Sequence, residues 1–138
     1  MKTENKIRVV IVDDYDMTRT LLKIILRGEQ FDVIGEATDG QSGVEMCLKL
    51  KPDIILLDVI MPIMNGIDAL EKIRAHLPQT LVMMVTGNDD ESVVNEAIKK
   101  GASGYIVKPF NTASVIETMN QAREKFILRN PASLQNQV

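Results

Sequence analysis

The chain has 138 residues, 45% of them apolar and 25% charged, which are the proportions of one globular domain with a real core. Sixteen basic against 19 acidic side chains leave a net charge of −3, which argues against nucleic acid as a direct partner and against a polybasic membrane anchor. A single cysteine, Cys47, and a single histidine, His76, exclude a disulfide framework, a Cys-rich zinc site and a His cluster.

Five short apolar runs recur along the chain: Ile7–Val12, Phe31–Ala37, Ile54–Leu57, Leu81–Val85 and Tyr105–Val107. Four are nearly continuous, as strands buried on both faces are. The second carries Asp32 and Glu36, which suits an edge strand. Between the runs lie stripes at helical spacing. Met17, Leu21 and Ile25, with Leu22 and Leu26 beside them, make the first. Val44, Cys47 and Leu48 make the second, and Ile67, Leu70 and Ile73 the third. The fourth is Val93, Val94, Ala97 and Ile98; the fifth, longer one is Val115, Met119, Ala122 and Phe126. Gly28 and Gly101 follow their helices, where a glycine takes positive φ without strain. Lys51-Pro52 and Leu77-Pro78 stop two others, and Asp90 or Ser92 is placed to cap the fourth. With aromatics at 4% and no Trp, the core must be aliphatic.

Strand alternating with helix five times implies an α/β fold, a (βα)5 parallel sheet with helices on both faces. Two strand orders are common for such a chain, and 2-1-3-4-5, the flavodoxin-like one, is in play. No repeat or linker interrupts the chain. Residues 1–128 are expected to form the domain, and the polar stretch 129–138 a mobile tail. The N-terminus has no signal-peptide pattern and no apolar run reaches membrane-spanning length, so a cytoplasmic protein is expected.

In open parallel sheets ligands bind beyond the carboxyl ends of the strands. Here those ends carry Asp13 and Asp14, then Asp58, then Thr86, then Lys108. In order 2-1-3-4-5 the first and third strands are neighbours, so the three carboxylates converge. Three such groups stay ionised together only with a cation nearby. An all-oxygen ligand set selects a hard one, Mg²⁺ or Mn²⁺. Mg²⁺ commonly gains phosphate oxygens, and Lys108 with the Thr86 hydroxyl on the far side suits a phosphoryl group. Singly, each residue has a plainer reading: Asp-Asp as a turn or cap, Thr86 before Gly87 as a turn, Lys108 as a surface lysine. Four strand ends of this kind, in this order, favour the joint reading.

The chain from Ile7 to about Phe126 resembles the receiver domain of bacterial two-component response regulators. The resemblance is carried by Val-Asp-Asp at 12–14 with Arg19 after it, Asp39-Gly40, Leu-Leu-Asp at 56–58 and Met-Pro-Ile-Met-Asn-Gly at 61–66. Thr86-Gly87, Gly-Ala-Ser-Gly-Tyr at 101–105 and Lys-Pro-Phe at 108–110 complete it. It implies that Asp58 is a phosphoacceptor, supplied by a histidine kinase or a histidine phosphotransfer protein. It implies Mg²⁺ held by Asp14, Asp58 and the Ile60 backbone carbonyl, with Asp13 acting through water. It also implies Lys108 paired to the phosphoryl group, and a cis peptide at Lys108-Pro109. Thr86 and Tyr105 match the family's switch pair, and a downstream protein would meet the face of helix 4, strand 5 and helix 5. Such a protein is a signalling switch, not a turnover enzyme, and a monomer or weak phosphorylation-dependent dimer. Ile60, Gly87 and Asn88 depart from or vary within the family pattern, and flank the path of the water that sets phosphate lifetime.

Two other functions fit the fold less well. A flavin carrier needs a Ser/Thr/Gly-rich phosphate loop after the first strand, where this chain has two acids. A haloacid-dehalogenase-type phosphatase needs Asp-x-Asp, and position 60 is Ile. The few residues after Phe126 carry no helix-turn-helix pattern, so a stand-alone receiver acting by protein contact is expected. A fragment of a longer regulator, with a DNA-binding domain downstream, is the alternative.

Overall fold

The structure is a computed structural model, describing residues 6–87 and 91–130. Strands β1 (Ile7–Val12), β2 (Phe31–Ala37), β3 (Ile54–Asp58), β4 (Leu81–Thr86) and β5 (Gly104–Val107) alternate with five helices. These are α1 (Asp16–Arg27), α2 (Gly40–Leu50), α3 (Gly66–His76), α4 (Glu91–Lys99) and α5 (Thr112–Arg129). All strand pairs are parallel and the order is β2-β1-β3-β4-β5. The apolar runs are therefore strands, and the flavodoxin-like order is the one adopted. Helix α5 runs through Arg129, one residue into the stretch expected to be tail; the rest of that tail, from 131, lies outside the described residues.

Successive strand side chains point to opposite faces, so a continuous apolar run feeds two cores at once. Val9, Ile11, Ile54, Leu56 and Val85 pack against Leu22 and Leu26 of α1 and against Val115, Met119 and Phe126 of α5. Val10, Val12, Ile55, Leu57 and Met84 pack against Cys47 of α2, Leu70 and Ile73 of α3 and Ala97 of α4. Each such aliphatic side chain contributes roughly 1.5–3 kcal/mol when taken from water. Strand β2 is the polar edge strand expected, and a register shift between Val9 and Val10 places Gly35, not Ile34, opposite Val10. Among the described residues no helix is long and apolar enough to cross a membrane.

Three details differ from the sequence expectation. Helix α1 turns Arg19, Leu22 and Leu26 inward and leaves Met17 and Leu21 in water. Position 17 lies about 200° around the helix from 19, so the two sets cannot share a face. Gly28 has φ −77°, not positive, because α1 ends in a right-handed turn closed by Glu29 N–H donating to the Leu26 carbonyl at 3.0 Å. The left-handed exits are instead Gly101, as expected, and Lys51 with φ 51°. The strained Lys51 is offset by Arg8, whose guanidinium donates to the Lys51 and Leu50 carbonyls at 2.8 Å each. Of the two candidate caps of α4, Ser92 is the second residue of the helix, and position 90 lies outside the described residues.

Candidate functional site: an acidic pocket at the carboxyl edge of the sheet

Sheet register builds the pocket. Val12 pairs with Leu57, so Asp13 and Asp58 emerge side by side from β1 and β3. Thr86 pairs with Val107, so Lys108 emerges beside the end of β4, and its N–H donates to the Thr86 carbonyl at 2.7 Å. Asp13, Asp14 and Asp58 each offer an oxygen within 4.8 Å of the others. Asp13 and Asp58 are buried and Asp14 is exposed. The Lys108 ammonium lies 3.1 Å from Asp13 Oδ2 and 3.7 Å from Asp58 Oδ1. It also lies 5.4 Å from the centre of the Tyr15 ring, a cation–π distance. The Lys108–Pro109 peptide bond is cis.

Crowding perturbs the central carboxylate. Burial pushes Asp58 up to about 6, and the neighbouring Asp13 and Asp14 charges add to the rise. Lys108 and the Ile60 N–H, which bonds the carboxylate, oppose it. Asp13 is tied down on three sides. Its N–H donates to the Ala37 carbonyl at 3.1 Å, its Oδ1 accepts from Tyr15 N–H at 2.9 Å, and its carbonyl accepts from Arg19 Nη1 at 2.7 Å. Its Oδ2, fully buried, has Lys108 close by but no donor aligned on it. A buried oxygen in that condition, inside an all-oxygen cluster, fits a hard cation or its water.

The floor of the pocket needs a glycine. Gly66 opens α3 behind the Asn65 cap, and its N–H donates to the Val59 carbonyl at 2.7 Å. A methyl group there would collide with the Asp58 carbonyl oxygen and the Val59 backbone. Gly87 differs: a methyl group would meet nothing nearer than Lys108 Cδ at 4.0 Å. Ile60 stands at the rim, 76% exposed. Asn88 lies outside the described residues.

Thr86 is buried, whereas Tyr105 is 47% exposed. Both border a narrow apolar crevice between α4 and the sheet, lined also by Met84, Ala97 and Ile98. Helix α4 is lightly seated there, since of its predicted stripe only Ala97 is buried. Three site features went unread in the sequence: the inward Arg19, the Tyr15 ring over Lys108, and the close approach of Gly66. The first had a signal, a charged residue three before Leu22 and seven before Leu26.

An open parallel α/β sheet with three carboxylates, a hydroxyl and an ammonium on one rim defines a phosphoryl- or metal-handling site. A family model described as the response regulator receiver domain matches residues 9–120. The chemotaxis protein CheY of Thermotoga maritima is 43% identical over 114 residues, 83% of this chain and 95% of that protein. The transcriptional regulatory protein DegU of Brevibacillus brevis is 39% identical over 117 residues, and the chain spans half of its length. CheY of Borrelia burgdorferi, solved as a CheX–CheY–BeF3–Mg complex, superposes with a TM-score of 0.81 at 33% identity, covering 83% of this chain and 87% of that one. The chain belongs to the response regulator receiver domain family, whose members are signalling domains and not turnover enzymes.

Proposed function

We propose that the protein is a cytoplasmic, phosphorylation-activated switch, with residues 1–128 as its receiver domain. Asp58 accepts a phosphoryl group from a histidine kinase or a histidine phosphotransfer protein. The carboxylate oxygen forms the new P–O bond as the donor's P–N bond breaks, leaving an acyl phosphate on Asp58 and a histidine on the donor. The observation that carries the reading is the Asp58 carboxylate, buried between two acids and facing Lys108.

Asp13, Asp14 and Asp58, with the Ile60 backbone carbonyl, are the residues to hold Mg²⁺, or Mn²⁺ in its place. The bound ion would neutralise charge on the transferring group. The fit of the donor set supports it, as does the Mg in the Borrelia CheY complex. Lys108 is positioned to pair with the phosphoryl oxygens and Thr86 to donate its hydroxyl. Ile60, Gly87 and Asn88 would tune phosphate lifetime through water access.

The switch runs through the crevice. Thr86 moving toward the phosphoryl group frees space that the half-exposed Tyr105 ring can enter. That reshapes the face of α4, β5 and α5, where a downstream protein would dock and where a weak phosphorylation-dependent dimer of the monomer would form. The light seating of α4 supports this, because a loosely packed element is the one a local charge change can bias. Incubation with acetyl phosphate and Mg²⁺ should add one phosphoryl group by intact mass, lost in Asp58→Ala. An unmodified wild-type chain, or an adduct that survives Asp58→Ala, overturns the assignment.

A further inference from the structure

We propose that Arg19 is a positioning residue for the divalent cation, holding the Asp13–Asp14 turn from behind. The inference rests on reading the acidic pocket as a cation site. Arg19 projects inward from α1 with its side chain 11% exposed. Its Nη1 donates to the Asp13 carbonyl at 2.7 Å, its Nε to Glu36 Oε1 at 3.0 Å, and its Nη2 to Asp16. Glu36 in turn accepts from Lys23 at 2.7 Å. These cations hold the Glu36 carboxyl below its ordinary range, Lys23 most strongly, against the opposing effect of burial.

Two carboxylates already balance the guanidinium, so its contribution to the pocket is geometric. The Asp13 N–H, carbonyl and Oδ1 all have fixed partners, and only Oδ2 lacks an aligned donor. Of those three ties, Arg19 provides the one on the peptide joining Asp13 to Asp14. Releasing it lets that peptide plane rotate, and both carboxylates swing with it. Mg²⁺ demands near-ideal octahedral geometry at about 2.0–2.1 Å, so small misplacements are costly. The guanidinium presents its donors in a rigid planar fork, a geometry that the compact ammonium of lysine does not reproduce.

Partners behind a metal ligand typically carry about 10- to 100-fold in metal affinity. Calorimetric titration of the whole chain with Mg²⁺ should therefore show Arg19→Ala and Arg19→Lys binding about tenfold or more weakly. Lys23→Ala loosens the same Glu36 tie without touching Asp13, and should stay within about twofold of wild type. Melting in EDTA separates stability from affinity. A folded Arg19→Lys that melts lower yet binds Mg²⁺ like wild type overturns the inference and leaves Arg19 a purely structural tie. The wild-type chain supplies an arm that needs no variant: the Arg19 Nε resonance should shift on Mg²⁺ titration, and an unmoved signal counts against the proposal. No Mg²⁺ binding by the wild type would instead sink the reading of the pocket itself.

Discussion

Replacing Asp58 with Asn should make the metal-free protein more stable at neutral pH while destroying the phosphoacceptor. Unfolded, Asp58 gives up its proton near 3.8; folded, burial and its acidic neighbours hold the proton to about 6. Between those values the folded chain binds a proton that the unfolded chain has lost. Stability therefore falls as pH rises through that window, and the loss is complete above it. Two pKa units at about 1.36 kcal/mol each put the cost near 3 kcal/mol at pH 7.5, and near zero below pH 4. The amide carries no charge and keeps an oxygen to accept the Ile60 N–H. Urea unfolding followed by circular dichroism in EDTA should show the variant ahead by about 2–3 kcal/mol at pH 7.5 and level near pH 4. Carboxylates remote from the pocket titrate alike in both proteins and cancel in the difference. Saturating Mg²⁺ should narrow the gap by stabilising the wild type. A stability difference that does not change with pH, or a wild type that is the more stable at pH 7.5, would show that Asp58 does not hold its proton to about 6.

The two pocket glycines should respond oppositely. Gly66→Ala forces a methyl group into the Asp58 and Val59 backbone and should cost more than about 3 kcal/mol by denaturant midpoint. Gly87→Ala meets open space at ordinary φ and should shift stability by about 0.4–1 kcal/mol in the favourable direction. Lys108→Ala should impair the phosphoryl-dependent change in tyrosine emission more than it impairs folding; a large drop in melting temperature of the unphosphorylated protein would reassign Lys108 as a structural residue. Met119→Ala, in the core under α5, should cost about 2–5 kcal/mol and leave acetyl-phosphate labelling of the folded fraction intact.

The strands were legible because a parallel strand buried on both faces reads as a continuous apolar run, and Ile54–Leu57 and Leu81–Val85 are too short for a helix. The pocket was legible because each acid or base directly follows such a run. The sidedness of α1 was not. It is apolar on both sides, with Leu22 and Leu26 inward and Met17, Leu21 and Ile24 outward, so periodicity alone could not choose. The inward side also carries Arg19, whose acceptors are the nearby Asp13 carbonyl and Asp16 and, 17 residues on, Glu36 of β2, a partner that a helical window does not contain. Gly28 and Lys51 failed for a related reason. Which residue turns left-handed depends on what caps the freed carbonyls, and for α2 that is Arg8, 43 residues before Lys51 in sequence.

Tyr15 and Tyr105 are the two tyrosines of the chain, and it has no Trp. One ring lies over Lys108 at the mouth of the pocket; the other stands half in water at the crevice under α4. Near-ultraviolet absorption and emission therefore come almost wholly from the two ends of the proposed relay. Tyr15→Phe leaves a chain whose tyrosine light reports on β5, and Tyr105→Phe one that reports on the pocket. Time-resolved emission from those two chains after mixing with a phosphoryl donor would give the order of events: whether the rim changes first and the distal ring follows, or both relax together.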